Sequence, residues 1–257
     1  MGHKPVMAQH KDYFSGQDHA KLYAAFRPVY PENLYRFIFA HLNGRSAAWD
    51  CATGSGQVAE YLSHHFSQVQ ATDISQQQIA NAYQAPNITY AVAPAEKTPF
   101  PDHHFDLITV AQALHWFDTD AFYTEAKRVL KTDGLLAVWG YALCKVSDPI
   151  DAIFLDFYQH TVGPYWDSAR RLVEEQYRSV PFPFKKIEAP AFYIRTIWTL
   201  DQYTGYLSTW SATQKFIQQN SFDPVPALIP KLAKYWPKTE QKEVRFPIFL
   251  KLGQPPH

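Results

Sequence analysis

The sequence has no surplus of either charge: 24 Lys and Arg balance 24 Asp and Glu over 257 residues. A chain without a net field does not gather nucleic acid or anionic lipid from a distance, so the expected partner is a small molecule recognised locally. Cysteine is scarce. Cys51 and Cys144 make no disulfide framework, and neither a CxxC pair nor a Cys/His zinc spacing occurs. The pairs His64-His65 and His103-His104 are adjacent and diverge, so no bound metal is expected. Together these absences indicate a reducing, cytoplasmic setting. Long apolar runs are missing as well: the longest, Gly134 to Cys144, falls well short of the roughly 20 residues that span a bilayer. The first fifteen residues are polar and lack the apolar core of a secretory signal. Gly54-Ser55-Gly56 does not carry the flanks of a serine-hydrolase elbow.

Aromatic residues, by contrast, are abundant, with 7 Trp, 16 Tyr and 18 Phe beside 19 Pro. Residues 1–30 read as an aromatic arm ending in Arg27-Pro28-Val29-Tyr30-Pro31, whose prolines stop any continuous helix. Pro31 then opens a helix with Leu34, Phe37, Ile38 and Leu42 on one face. From Ala47 onward strands alternate with helices. Strands are expected at 47–51, 68–72, 88–92, 105–111 and 135–141, with Asp133-Gly134 turning the chain before the last of them. The run Phe105-Asp106-Leu107-Ile108-Thr109-Val110-Ala111 is almost continuously apolar, as a strand buried on both faces of a parallel sheet should be. This order predicts a doubly wound, Rossmann-like α/β sheet over a core of 31–146. Residues 147–190 carry two helical stretches and read as an inserted helical cap. Residues 191–257 hold an alternating strand, further helix and a final strand that completes the sheet.

The chain is organised around Ala47-Ala48-Trp49-Asp50-Cys51 and the turn Ala52-Thr53-Gly54-Ser55-Gly56. Gly54 and Gly56 let the backbone bend and let a ligand lie against it. Gly54-Ser55-Gly56-Gln57-Val58-Ala59 fits the dinucleotide fingerprint, and Asp73 stands where a ribose-binding acid belongs. Asp50, just before the turn, would repel the two phosphates of a dinucleotide and welcome a cation. S-adenosylmethionine has no phosphate, carries an ammonium and a sulfonium, and offers a ribose diol to Asp73.

Asp50 to Gly56, Asp73-Ile74, Ala95-Glu96-Lys97-Thr98-Pro99-Phe100 and Ala111-Gln112-Ala113-Leu114-His115-Trp116-Phe117 together resemble a class I S-adenosylmethionine-dependent methyltransferase. Tyr23, Arg27-Pro28-Val29-Tyr30-Pro31, His115-Trp116-Phe117, Thr209-Trp210-Ser211 and Arg245-Phe246-Pro247 are similar to the small-molecule group that includes trans-aconitate methyltransferase-like proteins. The resemblance implies a seven-stranded sheet with its last strand antiparallel. It implies Ala95 and Glu96 beside the adenine, Gln112 near the methionine moiety, and Tyr23 and Arg27 against the cofactor. Cys51-Ala52-Thr53 departs from the Gly-Cys-Gly type of run common in that family. The expected cofactor set is therefore Tyr23, Arg27, Asp50, Gly54, Gly56, Asp73, Ile74, Ala95, Glu96 and Gln112. His115, four residues past the end of the fourth strand, is expected to face methyl transfer, as base or hydrogen-bond donor to a small acceptor such as a carboxylate. Two other readings stay open: an NAD-dependent oxidoreductase on the same turn, and a non-catalytic S-adenosylmethionine-binding regulator.

Overall fold

A computed structural model of the chain describes residues 28–256. These fall into two compact units, one of 28–151, 167–197 and 242–256, the other of 152–166 and 198–241. Tyr23 and Arg27 lie outside the described residues.

The larger unit is an eight-stranded sheet. Its first five strands are β1 (Ala47–Cys51), β2 (Gln68–Asp73), β3 (Ile88–Val92), β4 (Phe105–Ala111) and β5 (Leu130–Tyr141). They are followed by β6 (Lys185–Ile187), β7 (Phe192–Trp198) and β8 (Lys242–Gln254). The order is β3-β2-β1-β4-β5-β8-β6, with β7 also paired to β8. β1 to β5 pair in parallel, whereas β8 runs antiparallel to both β5 and β6. The seven strands of this path match the expected sheet, and β7 is an eighth that the resemblance did not imply. β8, thirteen residues long, is long enough for β6 to occupy only its far end, at Leu252 to Gln254.

The helices of this unit include α1 (Glu32–Phe39), α2 (Gln57–Ser63), α3 (Gln76–Ala80) and α4 (Thr119–Val129). β1 is buried along its whole length and six of the seven residues of β4 are buried, as strands covered on both faces require. Trp49 in β1 is fully buried; its indole N–H donates to Thr72 Oγ1 at 2.9 Å, and Phe100, Phe105 and Phe122 pack around it. Burying a ring of this size contributes on the order of 3 kcal/mol, and the indole bond avoids an orphaned donor. Asp133-Gly134 does not end a loop before β5, as expected from sequence, but lies inside it. β5 starts at Leu130 opposite Phe105 and shifts register before Leu135, so the turn residues become an irregularity in one strand.

The other unit is aromatic. α5 (Asp148–Asp156) begins in the larger unit and passes into a π-turn at Phe157–Thr161. Phe154, Tyr158, Trp166 and Tyr206 surround Trp210 with ring centroids 5.4–5.7 Å apart. A capping box of Thr199 and Gln202 starts α7 (Leu200–Ser208), which α8 (Ser211–Asn220) follows, whereas α6 (Arg170–Glu174) belongs to the larger unit. This division differs from boundaries at 147 and 190: residues 167–197 stay with the sheet because β6 and β7 pair with β8. Among the described residues no helix is long and apolar enough to cross a membrane.

Candidate cofactor and active site

Three left-handed residues shape the turn after β1: Ala52 (φ 56°), Gly54 (φ 57°) and Gly56 (φ 81°). A non-glycine residue in this region costs about 1–2 kcal/mol, so Ala52 must be held there. Its neighbours hold it. The Thr53 amide donates to the Thr72 carbonyl at 2.9 Å, and Thr53 Oγ1 donates to Asp50 Oδ2 at 2.5 Å.

The two glycines serve different ends. A side chain on Gly56 would meet Tyr90 Oη at 2.4 Å, and that hydroxyl donates to the Tyr83 carbonyl. Gly56 therefore makes room for protein, where Tyr90 is packed closely enough that burial and the Asp50 charge push its phenol up to about 12. Around Gly54, among the described residues and apart from its own chain neighbours, no atom lies within 4 Å of where a side chain would project. That open face is where a ligand can approach the backbone.

Asp73, at the end of β2, borders it. Its Oδ2 accepts the Gly54 amide and its Oδ1 the Ser75 amide, each at 2.9 Å. An ionised carboxylate has about four lone-pair positions, so each oxygen keeps one for a ribose hydroxyl. Ile74 beside it is 46% exposed and Val92, paired with Asp73 across β3, is 55% exposed. Two exposed apolar side chains next to this strand-end acid form a surface that a flat heterocycle could cover.

Asp50, expected from the sequence to face a cationic ligand, is buried at the end of β1. It is 1% exposed, with Oδ1 accepting from Thr109 Oγ1 at 2.8 Å and Oδ2 from Thr53. Both oxygens accept from threonine hydroxyls, which tie the end of β1 to β4 and to the turn. Burial pushes its carboxyl up to about 6, against the pull of the bonds from Thr53, Thr109 and the Ala59 amide.

Ala95 turns its methyl into the core, leaving only its backbone for a ligand. Glu96 Oε1 accepts the Asp118 amide at 3.0 Å, and Asp118 caps α4. The loop carrying both is pinned by Glu125, whose Oε1 accepts from the Thr98 amide and from Arg128, while Arg128 also donates to the carbonyls of Phe100 and Thr98. Gln112, left-handed at φ 56°, uses its Oε1 to accept the Tyr141 amide at 3.0 Å. Its carbonyl group thus closes the end of β5. His115 lies in the 3-10 turn Leu114–Trp116, partly buried, with Nδ1 2.9 Å from Tyr177 Oη. Burial and the charge of Arg170 bring the imidazole down to about 3, so it is neutral near pH 7.

Gly54, Asp73, Ile74, Glu96, Gln112 and His115 therefore all follow strand ends on one edge of the sheet, where open α/β sheets bind ligands. A depression of about 350 Å³ lined by Ser46, Ser67, Gln68, His103, His104 and Lys131 lies at the opposite ends of β1 and β2. It does not involve these residues. The parts unseen in the sequence are the supports: Thr53, Thr109, Tyr90, the Glu125–Arg128 pair and Tyr177. The position of Thr109 opposite Asp50 is readable once β1 and β4 are aligned; the other supports have no local signature.

The model of the methyltransferase domain family matches residues 49–138. A protein of Dictyostelium discoideum named as a methyltransferase is 33% identical over 243 residues, 91% of this chain and 92% of its own. A protein of Saccharomyces cerevisiae named as an S-adenosylmethionine-dependent methyltransferase is 21% identical over 79% of this chain and 82% of its own. Among solved structures, a type II methyltransferase structure from Anaeromyxobacter dehalogenans superposes with a TM-score of 0.84 at 38% identity, over 90% of this chain and 100% of that one. The chain belongs to the class I S-adenosylmethionine-dependent methyltransferases. It is a methyltransferase, in a family whose methyl donor is S-adenosylmethionine, and hydride transfer to NAD is set aside.

Proposed function

We propose that the chain holds S-adenosylmethionine against Gly54 and Asp73 and transfers its methyl group to a small-molecule acceptor beside His115, an acceptor with an ionised oxygen such as a carboxylate. The observation that carries this reading is the open face of Gly54 with Asp73 beside it. The cofactor supplies an electrophilic methyl: the acceptor oxygen forms the new O–C bond as the C–S bond breaks and its electrons return to sulfur. The residues have the simpler work of binding, orienting and excluding water. Asp73 takes the ribose, Ile74 and the backbone of Ala95 flank the base, and Trp116, 50% exposed beside His115, offers an apolar wall. Both the carboxylate preference and the trans-aconitate-like grouping draw support from the Arg27 to Pro31 and His115 to Phe117 stretches. A carboxylate is ionised near neutral pH and requires no base.

Calorimetric titration with S-adenosylhomocysteine and with NADH, followed by transfer of labelled methyl from S-adenosylmethionine into a metabolite extract, tests this. S-adenosylhomocysteine should saturate the site where NADH does not, and label should enter small, base-labile esters. Label recovered only in protein or nucleic acid, or no binding of S-adenosylhomocysteine, would overturn it.

A further inference from the structure

His115 and Tyr177 meet through a contact that sets what the imidazole can do. The Tyr177 phenol is fully buried and its oxygen stands 2.9 Å from His115 Nδ1. A fully buried phenol must place its own proton on an acceptor, and among the described residues the group facing the hydroxyl is His115 Nδ1, so the phenol donates and the ring nitrogen accepts. An imidazole that accepts at Nδ1 carries its proton on Nε2. Nε2 has no hydrogen-bond partner among the described residues.

The segment that presents Tyr177 is built at a cost. Gln176 and Tyr177 are consecutive non-glycine residues in the left-handed region, both at φ 55°. Such residues persist where the surroundings over-determine them, and they gather at functional sites. Here Lys251 Nζ donates to the carbonyls of Tyr177 and Val180 at 2.5 and 2.7 Å, the Tyr177 amide donates to the Leu172 carbonyl, and Phe249 packs edge-on against the ring at 5.2 Å. A fully buried phenol held this firmly, with its hydroxyl on a ring nitrogen, is more than packing requires.

We propose that Tyr177 is a positioning residue that fixes His115 as a neutral imidazole protonated on Nε2, so that His115 donates a hydrogen bond to the methyl acceptor and does not serve as its base. The inference rests on the reading of His115 as the residue facing the acceptor. It narrows the acceptor class. An oxygen already ionised fits a donor at Nε2, whereas an alcohol or carbon acid would have to lose its proton to another group. Arg170 supports the same state, because its charge disfavours protonation of the ring to the cation.

The test is the nitrogen spectrum of His115 in the full chain labelled with ¹⁵N, assigned by its loss in His115→Gln. In the unaltered protein Nδ1 should resonate as an unprotonated nitrogen and Nε2 as a protonated one, unchanged from pH 5.5 to 8.5. In Tyr177→Phe both should shift toward an average of the two tautomers and the ring should begin to titrate, while affinity for S-adenosylhomocysteine stays within about twofold. A proton on Nδ1 in the unaltered protein overturns the proposal, as does a titration midpoint near the ordinary histidine value of about 6.5. Either result stands even if the variant does not fold. A variant spectrum identical to the unaltered one overturns it as well. If the spectra behave as expected but S-adenosylhomocysteine does not bind, the cofactor reading falls while the control of His115 by Tyr177 is upheld.

Discussion

The Gly54 amide donates to Asp73 Oδ2 at 2.9 Å across 19 residues of sequence, so the end of β2 holds the glycine turn at the end of β1. The same carboxylate accepts the Ser75 amide and thereby fixes the start of α3. Part of the proposed cofactor site is thus ordered by the protein alone, which lowers the ordering cost of binding. Asp73→Ala should weaken S-adenosylhomocysteine binding by roughly 1.5–3 kcal/mol, the range for a hydrogen bond to a charged group. Asp73→Asn keeps one acceptor oxygen and should lose less. Equal affinities for all three proteins in calorimetry would remove Asp73 from the site.

Gly54 and Gly56 should respond differently to the same change. Gly56→Ala drives a methyl into Tyr90 Oη at a backbone angle of 81°, so it should cost about 1–3 kcal/mol of folding stability. Removing the hydroxyl with Tyr90→Phe should restore part of that. Gly54→Ala meets no atom of the described residues beyond its chain neighbours and should cost only about 1–2 kcal/mol of stability for its left-handed angle, but it places a methyl on the face where the cofactor is proposed to lie. Its larger effect should be on S-adenosylhomocysteine affinity. Chemical denaturation and calorimetry on the two variants separate the cases.

These contrasts mark how far the sequence could be read. Strand periodicity exposes β1 to β5 because parallel strands buried on both faces leave nearly continuous apolar runs, and Gly54, Gly56 and Asp73 stand out because only a tight turn and a strand-end acid use that spacing. What each glycine faces cannot be read so, since it depends on Tyr90, which arrives from β3. Asp50 shows the same limit: its charge is visible in sequence, but Thr109 and Thr53 turn it inward. The inclusion of Asp133-Gly134 in β5 reflects pairing with Phe105, a contact that overrides the local turn preference. Tyr177 has no local signal at all, because its left-handed backbone is held by Lys251, 74 residues away.

The loop carrying Ala95 and Glu96 depends on Glu125, which is almost fully buried and accepts from Thr98 and Arg128. Burial alone would raise its carboxyl, but the bonds from Arg128 and Thr98 outweigh it and hold the group below its ordinary value. Arg128→Met would leave that buried carboxylate without its partly exposed cation, a loss of about 1–2 kcal/mol once solvent screening of the guanidinium is allowed for. The loop should loosen with it. Hydrogen exchange should rise at the Thr98 amide, and the affinity for S-adenosylhomocysteine should fall several-fold; unchanged exchange at Thr98 would show that the pair does not hold the loop.

Asp50 sets a pH dependence of unusual sign. Its carboxyl sits near 6 in the folded chain, raised by burial from an ordinary value of 3.8. Between those values the folded protein binds the extra proton, so this group's contribution to stability is greatest below about pH 4 and is lost as the pH rises through 6. Ionising it inside the protein therefore costs on the order of 3 kcal/mol at pH 8. Glu125 and Asp106, which lie below their ordinary values despite burial because of their bonded partners, act in the opposite sense and destabilise the protein in acid. Whole-protein stability mixes these terms, but the difference between two proteins isolates one. Asp50→Asn keeps an oxygen that can accept from one of the two threonines and removes the buried charge, so the variant should gain on the unaltered protein as pH rises from 4 to 7. Urea titrations at pH 4, 5, 6, 7 and 8 measure that difference. A constant difference across the range would mean that Asp50 does not change its charge there, and that the bonds from Thr53 and Thr109 keep it ionised throughout.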